Sequence, residues 1–484
     1  MLRPCRRLAG VSILAMAAAM LAGCTSGSDE PAAGPNIVFV LTDDLSNNLV
    51  QYMPNLKKLE AAGTALTNYY VVDSLCCPSR ASIFTGEYPH NNGVFTNSGS
   101  DGGYRAYNEH GNESRSFGVA LQKAGYRTGF MGKYLNGYDP VANKPAPGWT
   151  DWNGIGGGYQ EFNYNVNANS KVEHYGKAPA DYLTDVVSRK ASAFIDGSAA
   201  ARKPFLLEVA TFAPHAPATP APRDAHSFPG LRAPRSAAYG KKPANAPGWL
   251  RRIPPLTAQD STQLDEEFRK RVQSVQAVDD MIGKLRQELR AKGLDKNTYF
   301  IFSSDNGYHL GEYQLRAGKQ TAFDTDIKVP LVVAGPGVPA GQKMSQMLSS
   351  IDLAPTFEAI AGAPVASTVD GASMLDVWHG RTPTHAAEAI LVEHHGRGFA
   401  SGDPDSAALS SGNPTTYEAI RTATALYVEY TTGEREYYDT VRDPFELDNI
   451  ASTVPATTLA PLVRALAALK TCRGAGCRAA AELG

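Results

Sequence analysis

The run Ile37-Val38-Phe39-Val40-Leu41 is apolar without interruption and too short for a stable helix, the pattern of a strand covered on both faces. It ends in Thr42-Asp43-Asp44. The design recurs far downstream, where Tyr299 to Phe302 reads as a buried strand and runs into Ser303-Ser304-Asp305-Asn306-Gly307. Strands covered on both faces need helices above and below, so the chain is predicted to be α/β, with a large, mostly parallel or mixed sheet flanked by helices. The rhythm between the two runs agrees. Ser116 to Gly125 reads as a helix closed by glycine, and Tyr126 to Met131 and Phe205 to Phe212 as strands. Leu264, Phe268, Val272, Val275, Val278, Ile282, Leu285 and Leu289 recur at steps of three and four, one amphipathic helix ending before Gly293. Lys328 to Ala334 reads as a strand, and Ser350 to Gly362 as a helix after a turn at Asp352.

The pattern changes beyond Gly371. Glu418 to Tyr430 and Glu434 to Tyr438 alternate like an antiparallel hairpin around Thr432-Gly433, and a last helix is expected from about Leu459 to Leu469. The expected organisation is a leader over 1–23, a Ser/Gly/Pro/Ala tether over 24–35, the main α/β domain over 36–370, and a smaller α+β subdomain over 371–484. The leader carries Arg3, Arg6 and Arg7 before the apolar stretch Leu8 to Ala22, which is too short to span a bilayer stably. Leu21-Ala22-Gly23-Cys24 is similar to the bacterial lipobox, which predicts export, acylation of Cys24, and contact with the membrane or cell surface through that lipid only.

A folded globular chain follows from 484 residues with 43% hydrophobic and 19% charged content. With 46 basic against 48 acidic residues there is no electrostatic case for nucleic acid, and an anionic substrate has to be gripped locally. Export implies an oxidising compartment. Cys472-Arg-Gly-Ala-Gly-Cys477 then closes a tiny loop, for which a local disulfide is favoured over a metal site. Cys76 and Cys77 are adjacent and need another explanation.

Ligands of open α/β sheets bind at the carboxyl ends of strands, where both acidic pairs are expected. Asp43, Asp44, Asp305 and Asn306 form a hard oxygen set suited to Ca²⁺, and less well to Mg²⁺. Either pair alone would more often be a cap or a turn. The segment Cys76-Cys77-Pro78-Ser79-Arg80-Ala81-Ser82-Ile83-Phe84-Thr85-Gly86 adds a helix whose first turn suits proline and whose end suits glycine, so residue 76 lies at an anion-favouring N-terminus.

That segment resembles the sulfatase signature, Cys-X-Pro-Ser-Arg followed by Thr-Gly, and the chain is identified as a member of that family. The likeness extends through Gly132-Lys133-Tyr134-Leu135-Asn136, Ala213-Pro214-His215, Phe268-Arg269-Lys270-Arg271, Ser304 to His309, Asp326 to Leu331 and the Cys472/Cys477 pair, and is nearest to the N-acetylglucosamine-6-sulfatase branch. The resemblance implies an alkaline-phosphatase-like sulfatase fold. It also implies that a formylglycine-generating enzyme oxidises Cys76 to formylglycine, whose hydrate attacks the sulfate ester to give a covalent sulfate. Asp43, Asp44, Asp305, Asn306 and residue 76 would hold one Ca²⁺. Arg80 would hold the hydrate, Lys133 and Lys319 the sulfate oxygens, and His215 would protonate the departing sugar oxygen. The implied substrate is a sulfated carbohydrate, 6-O-sulfated N-acetylglucosamine in the first instance.

Many sulfatases carry a histidine where this chain has Leu135. Asn136 can bind substrate but accepts no proton, so His309 is the expected base for expelling the sulfate, or else a wall of the sugar pocket. Two rivals stand beside this reading. One is a phosphate or phosphonate ester hydrolase of the same superfamily, and the other a lipoprotein that binds sulfated glycan with an unmodified cysteine.

Overall fold

The computed structural model describes residues 34–383, 385–396 and 409–483; the leader, Cys24 and nearly all of the tether fall outside them. Ten strands form the main sheet: β1 (Asn36–Thr42), β2 (Thr64–Tyr70), β3 (Arg127–Lys133), β4 (Asp151–Ile155), β5 (Tyr164–Ala168), β6 (Lys171–Tyr175), β7 (Phe205–Ala210), β8 (Thr298–Ser304), β9 (Leu331–Ala334) and β10 (Gln342–Ser349). Their order is β10-β2-β9-β8-β1-β7-β3-β4-β5-β6. The inner block β8-β1-β7-β3-β4 is parallel throughout, and antiparallel pairs join β9, β5 and β6 to it, so the sheet is mixed.

β1 shows why the sheet needs two helical layers. Ile37, Phe39 and Leu41 point into one apolar cluster and Val38 and Val40 into the other, all at 0–1% exposure. β8 divides in the same way, Tyr299 and Ile301 against Phe300 and Phe302. The first layer holds the helices Cys76–Thr85, Phe117–Lys123 and Leu353–Ala361. The second holds Leu183–Ala201 and Ala258–Ala291, the latter longer than its apolar stripe because Thr257 and Asp260 cap it reciprocally.

Two expected elements differ from the structure. The strand expected over 328–334 shortens to β9, because Pro330 has no N–H for a ladder. The single strand expected over 418–430 is folded back on itself as β12 (Tyr417–Thr422) and β13 (Ala425–Tyr430), between β11 (Ala389–His394) and β14 (Arg435–Asp439) in a four-stranded antiparallel sheet. This second sheet shares a core with the first layer: Val72, Tyr88 and Ile351 pack with Leu391, Ile420, Tyr427, Leu466 and Leu469. Among the described residues no helix is long and apolar enough to cross a membrane.

Candidate active site

The register of the parallel block delivers its chemistry to one edge. Leu41 and Thr42 pair with Ser303 and Ser304, and the Asp305 N–H donates to Thr42 O at 3.1 Å, so Asp43-Asp44 and Asp305-Asn306 emerge side by side. β7 lies on the other flank of β1 and leads into Pro214-His215. Next to β7, β3 ends in Lys133. Gly132 makes this last approach possible. Its φ is +118°, and a Cβ there would stand 1.8 Å from Ala210 O. Opposite these strand ends, Cys76 is the first residue of the Cys76–Thr85 helix, which Gly86 closes at φ +69° with its N–H on Ser82 O at 2.8 Å.

The side chains interlock. Lys319 Nζ lies 2.6 Å from Asp44 Oδ1 and 2.7 Å from Cys76 Sγ, and Lys133 Nζ lies 2.6 Å from Asp43 Oδ2. Cys76 Sγ is 3.2 Å from Asp43 Oδ1. Arg80, one turn after Cys76, donates from Nε to Asp305 Oδ2 at 2.7 Å and from a terminal nitrogen to Lys133 O at 3.0 Å. Three carboxylates thus face three cations, all at most 3% exposed. Charges are tolerated at that depth only when mutually compensated. Burial raises the Asp43 carboxyl, but Lys133, His215, Arg80 and Lys319 outweigh it and hold Asp43 well below the usual carboxylate range. Burial likewise favours neutral Lys133 and neutral Arg80, and the carboxylates around each keep it charged.

The donor set fits a hard cation. Asn306 spends its amide N–H groups on Asp44 Oδ1 (2.7 Å) and Gly307 O (2.9 Å), and leaves its fully buried Oδ1 with no hydrogen bond. An amide oxygen stranded beside carboxylates is what an oxygen-seeking ion satisfies. One detail departs from the expected ligands. The groups within 4.8 Å of one another are Asp43, Asp44, Cys76 and His215, whereas Asp305 is committed to Arg80 and, through Oδ1, to the N–H groups of Asp44 and Asn306.

His215 presents Nε2 3.7 Å from Asp44 Oδ2, while Nδ1 lies 2.7 Å from Ala216 O. A carbonyl can only accept, so Nδ1 carries a proton and Nε2 is the nitrogen turned to the site. Asn136 reaches the site indirectly: its Nδ2 donates to Tyr159 OH at 3.3 Å, and the Tyr159 ring lies 4.7 Å from the His215 ring and 5.1 Å from Lys133 Nζ.

His309 does not fit the role of base. Its Nδ1 lies 2.9 Å from Asp326 Oδ1 and its Nε2 3.1 Å from Ser411 O, and its backbone pairs with Gly318, so both ring nitrogens are occupied away from Cys76. It braces the loop that carries Lys319. Cys77 points into the first-layer core, where burial pushes its thiol up to about 12, and Cys472 and Cys477 form a disulfide.

Two further contributors have no role assigned from sequence. Arg271 is completely buried, its terminal nitrogens donate to Pro214 O and Asp44 O, and its guanidinium lies 4.0 Å from the Tyr308 ring. It thereby holds Asp44, whose φ of +64° is unusual for a residue with a side chain. The available signal was its place in the Phe268-Arg269-Lys270-Arg271 segment. Tyr159 sits in an irregular stretch and gave none.

A profile of the Sulfatase family matches residues 35–363, and one described as N-sulphoglucosamine sulphohydrolase, C-terminal, matches residues 311–470. N-acetylglucosamine-6-sulfatase of Homo sapiens is 35% identical over 493 residues, covering 95% of this chain and 89% of the human protein. Among solved structures, one in complex with its substrate D-glucosamine-2-N,6-O-disulfate superposes with a TM-score of 0.75 at 24% identity, over 90% of this chain and 97% of the other. The phosphonate monoester hydrolase of Agrobacterium radiobacter superposes at 0.68 and 18% identity, over 90% of this chain and 96% of the other. At such identities the structural neighbours speak for the fold alone.

Proposed function

The chain belongs to the sulfatase family and hydrolyses sulfate esters, and on that premise we propose that its substrate is the 6-O-sulfate of N-acetylglucosamine in a sulfated glycan and that Cys76, oxidised to formylglycine, is its nucleophile. The substrate rests on the relationship to the human N-acetylglucosamine-6-sulfatase over nearly the whole of both chains. The observation that carries the nucleophile is the position of Cys76 Sγ, which marks where the oxygens of a modified residue would stand, between Lys319 Nζ and Asp43 Oδ1 at the start of a helix.

Oxidation would supply a hydrated aldehyde, one hydroxyl of which attacks sulfur and the other of which later expels the sulfate. Asp43, Asp44 and Asn306, with residue 76, would hold a Ca²⁺ ion, joined by Asp305 once one of its oxygens is freed from its present N–H contacts; the ion would supply positive charge against the sulfuryl oxygens and the nucleophile. Lys133 and Lys319 bind the sulfate oxygens from two sides. When sulfate and cation are both present, these ammonium groups turn from the aspartates to the anion. Arg80, fixed by Asp305 and the Lys133 carbonyl, orients the hydrate.

His215 serves both proton transfers in this reading. Protonated at Nε2, it gives its proton to the departing sugar oxygen. Neutral afterwards, it takes a proton from residue 76 as sulfate leaves, which restores its starting state. The attacking hydroxyl gives its own proton to solvent, which is the one net proton of sulfate-ester hydrolysis, and water rehydrates the aldehyde left by elimination; the cycle then balances without Leu135 or His309. Export and acylation of Cys24 complete the proposal: labelled fatty acid should enter the wild-type chain and not Cys24→Ala.

Mass measurement of the peptide containing residue 76, from protein made in a host with the maturation enzyme, tests the nucleophile. Sulfur should be lost at 76 and kept at 77, and Cys76→Ala should fold and be inactive. An intact thiol at 76 in active enzyme, or activity in Cys76→Ala, would refute it. Turnover of an aryl sulfate against an aryl phosphate separates the phosphoester rival.

A further inference from the structure

On the leaving-group side of the site, contacts run in an unbroken series away from the reaction centre. The His215 ring packs at a tilt of 56° against Tyr159, Tyr159 OH accepts from Asn136, and Asn136 O accepts from the Tyr104 N–H at 2.7 Å. Beyond Asn136 lies an open groove of about 600 Å³, lined on one side by the 97–109 segment and on the other by Asn136, Gly137 and Asn143. Its floor is tied to the nucleophile helix as well, since the Cys77 N–H donates to Asn97 Oδ1 at 2.9 Å. The volume is of the size that small-ligand sites occupy.

The lining defines what fits. Exposed Asn108 and half-buried Asn143 present amide groups that can meet a sugar hydroxyl, while Asn97 and Asn136, at 2% and 5% exposure, form the floor. Tyr104 supplies a ring, and its hydroxyl accepts from Asn108 Nδ2 at 3.4 Å. The charged lining residues are Arg105 and Glu109, which face each other at 4.0 Å and cancel, so the groove is electrically neutral. With His215 as the acid for the sugar oxygen, as proposed above, the sugar of a bound ester would lie on this side of Cys76, and the groove is the open space next to Asn136 on that side.

We propose that the groove is the subsite for the sugar next to the sulfated one, gripping its hydroxyls without reading a further charge, so that the enzyme prefers a glycan chain to a free monosaccharide. The proposal rests on the sulfatase reading above. It makes Asn108, Asn143 and Tyr104 determinants of chain length and not of the chemical step.

The test uses the full, matured protein and compares kcat/KM for N-acetylglucosamine 6-sulfate with that for a tetrasaccharide carrying the same residue at its end. The wild type should favour the tetrasaccharide by about tenfold, the yield of one well-formed set of sugar contacts. Asn108→Trp, an exposed position where the indole would fill the groove, should bring the ratio toward one, and Asn108→Ala should lower it part of the way. The wild-type ratio should hold from low to high salt. A wild-type ratio near one, a ratio untouched by Asn108→Trp, or a ratio that collapses with salt would each overturn the proposal. Failure of the sulfatase reading would look different: the wild type would not turn over a simple aryl sulfate either.

Discussion

Glu208 lies in the middle of β7, beside the strand that leads to the reaction centre. It is fully buried, and neither carboxylate oxygen has a hydrogen-bond partner. Burial pushes its carboxyl up from 4.5 to about 8, against the opposing pull of the Arg80 charge. In the folded state Glu208 therefore keeps a proton that the unfolded chain releases above pH 4.5. Stability from this group is fully present below that pH and is lost as pH rises through about 8, beyond which the loss levels off. At about 1.4 kcal/mol per pH unit the full interval amounts to about 5 kcal/mol. Glu208→Gln keeps the shape and removes the proton linkage. With an unfolding entropy of about 2.1 cal/mol/K per residue over roughly 450 folded residues, the variant should match the wild type near pH 4.5 and melt about 3–5 °C higher at pH 8. Thermal melts of both proteins at matched heating rates across that range provide the assay. Parallel Tm curves, or a variant that falls further below the wild type as pH rises, would refute the buried-acid argument.

Gly132→Ala should cost about 3 kcal/mol or more, because its Cβ would force β3 away from Ala210 O, and a lowered urea midpoint would register it. His215→Ala should slow turnover most for substrates with poor leaving groups. His309→Ala should lower the melting temperature and weaken sulfate binding through a loosened Lys319 loop, without trapping sulfate on residue 76; trapped adduct in His309→Ala would reinstate it as the base. Added Ca²⁺ should raise the Tm of the wild type by several degrees and that of Asn306→Ala by much less, and chelation should abolish turnover. Turnover that persists after exhaustive chelation would exclude the cation.

β1 and β8 were legible because residues covered on both faces leave no choice but apolar side chains. At the sheet margins that constraint lapses: β10 is exposed over much of its length and carries glutamine, lysine and serine, and nothing in its pattern announces a strand. β12 and β13 read as one strand because Ala423-Thr424, where the chain reverses, contains neither glycine nor proline. Within the site, the residues visible in sequence were those with a motif around them. His309 sits in such a motif, and adjacency to Asp305-Asn306 made it a natural base, but only three dimensions reveal Asp326 and Ser411 on its two nitrogens. Tyr159 is joined to the site by chain reversals that leave no mark in the spacing of residues, and Arg271, though inside a quoted segment, shows its role only through its bonds to Pro214 O and Asp44 O.

The loop around Lys319 is fastened from far downstream. The Arg316 N–H donates to Ser410 O at 2.8 Å, His309 Nε2 meets Ser411 O, and Tyr417 OH donates to Gln320 O at 3.2 Å. This gives the molecule an order in time. A chain emerging from the ribosome can assemble β1, β7, β8 and the nucleophile helix well before residue 410 exists, and the Lys319 loop then has its ties to Ser74 and within 309–318 but not these three. If residue 76 is matured as proposed above, the interval before these ties form is when a processing enzyme would most easily reach it. Arrival of the last strands ends that interval, so a chain that stops short of them would keep most of its sheet and lack a working site.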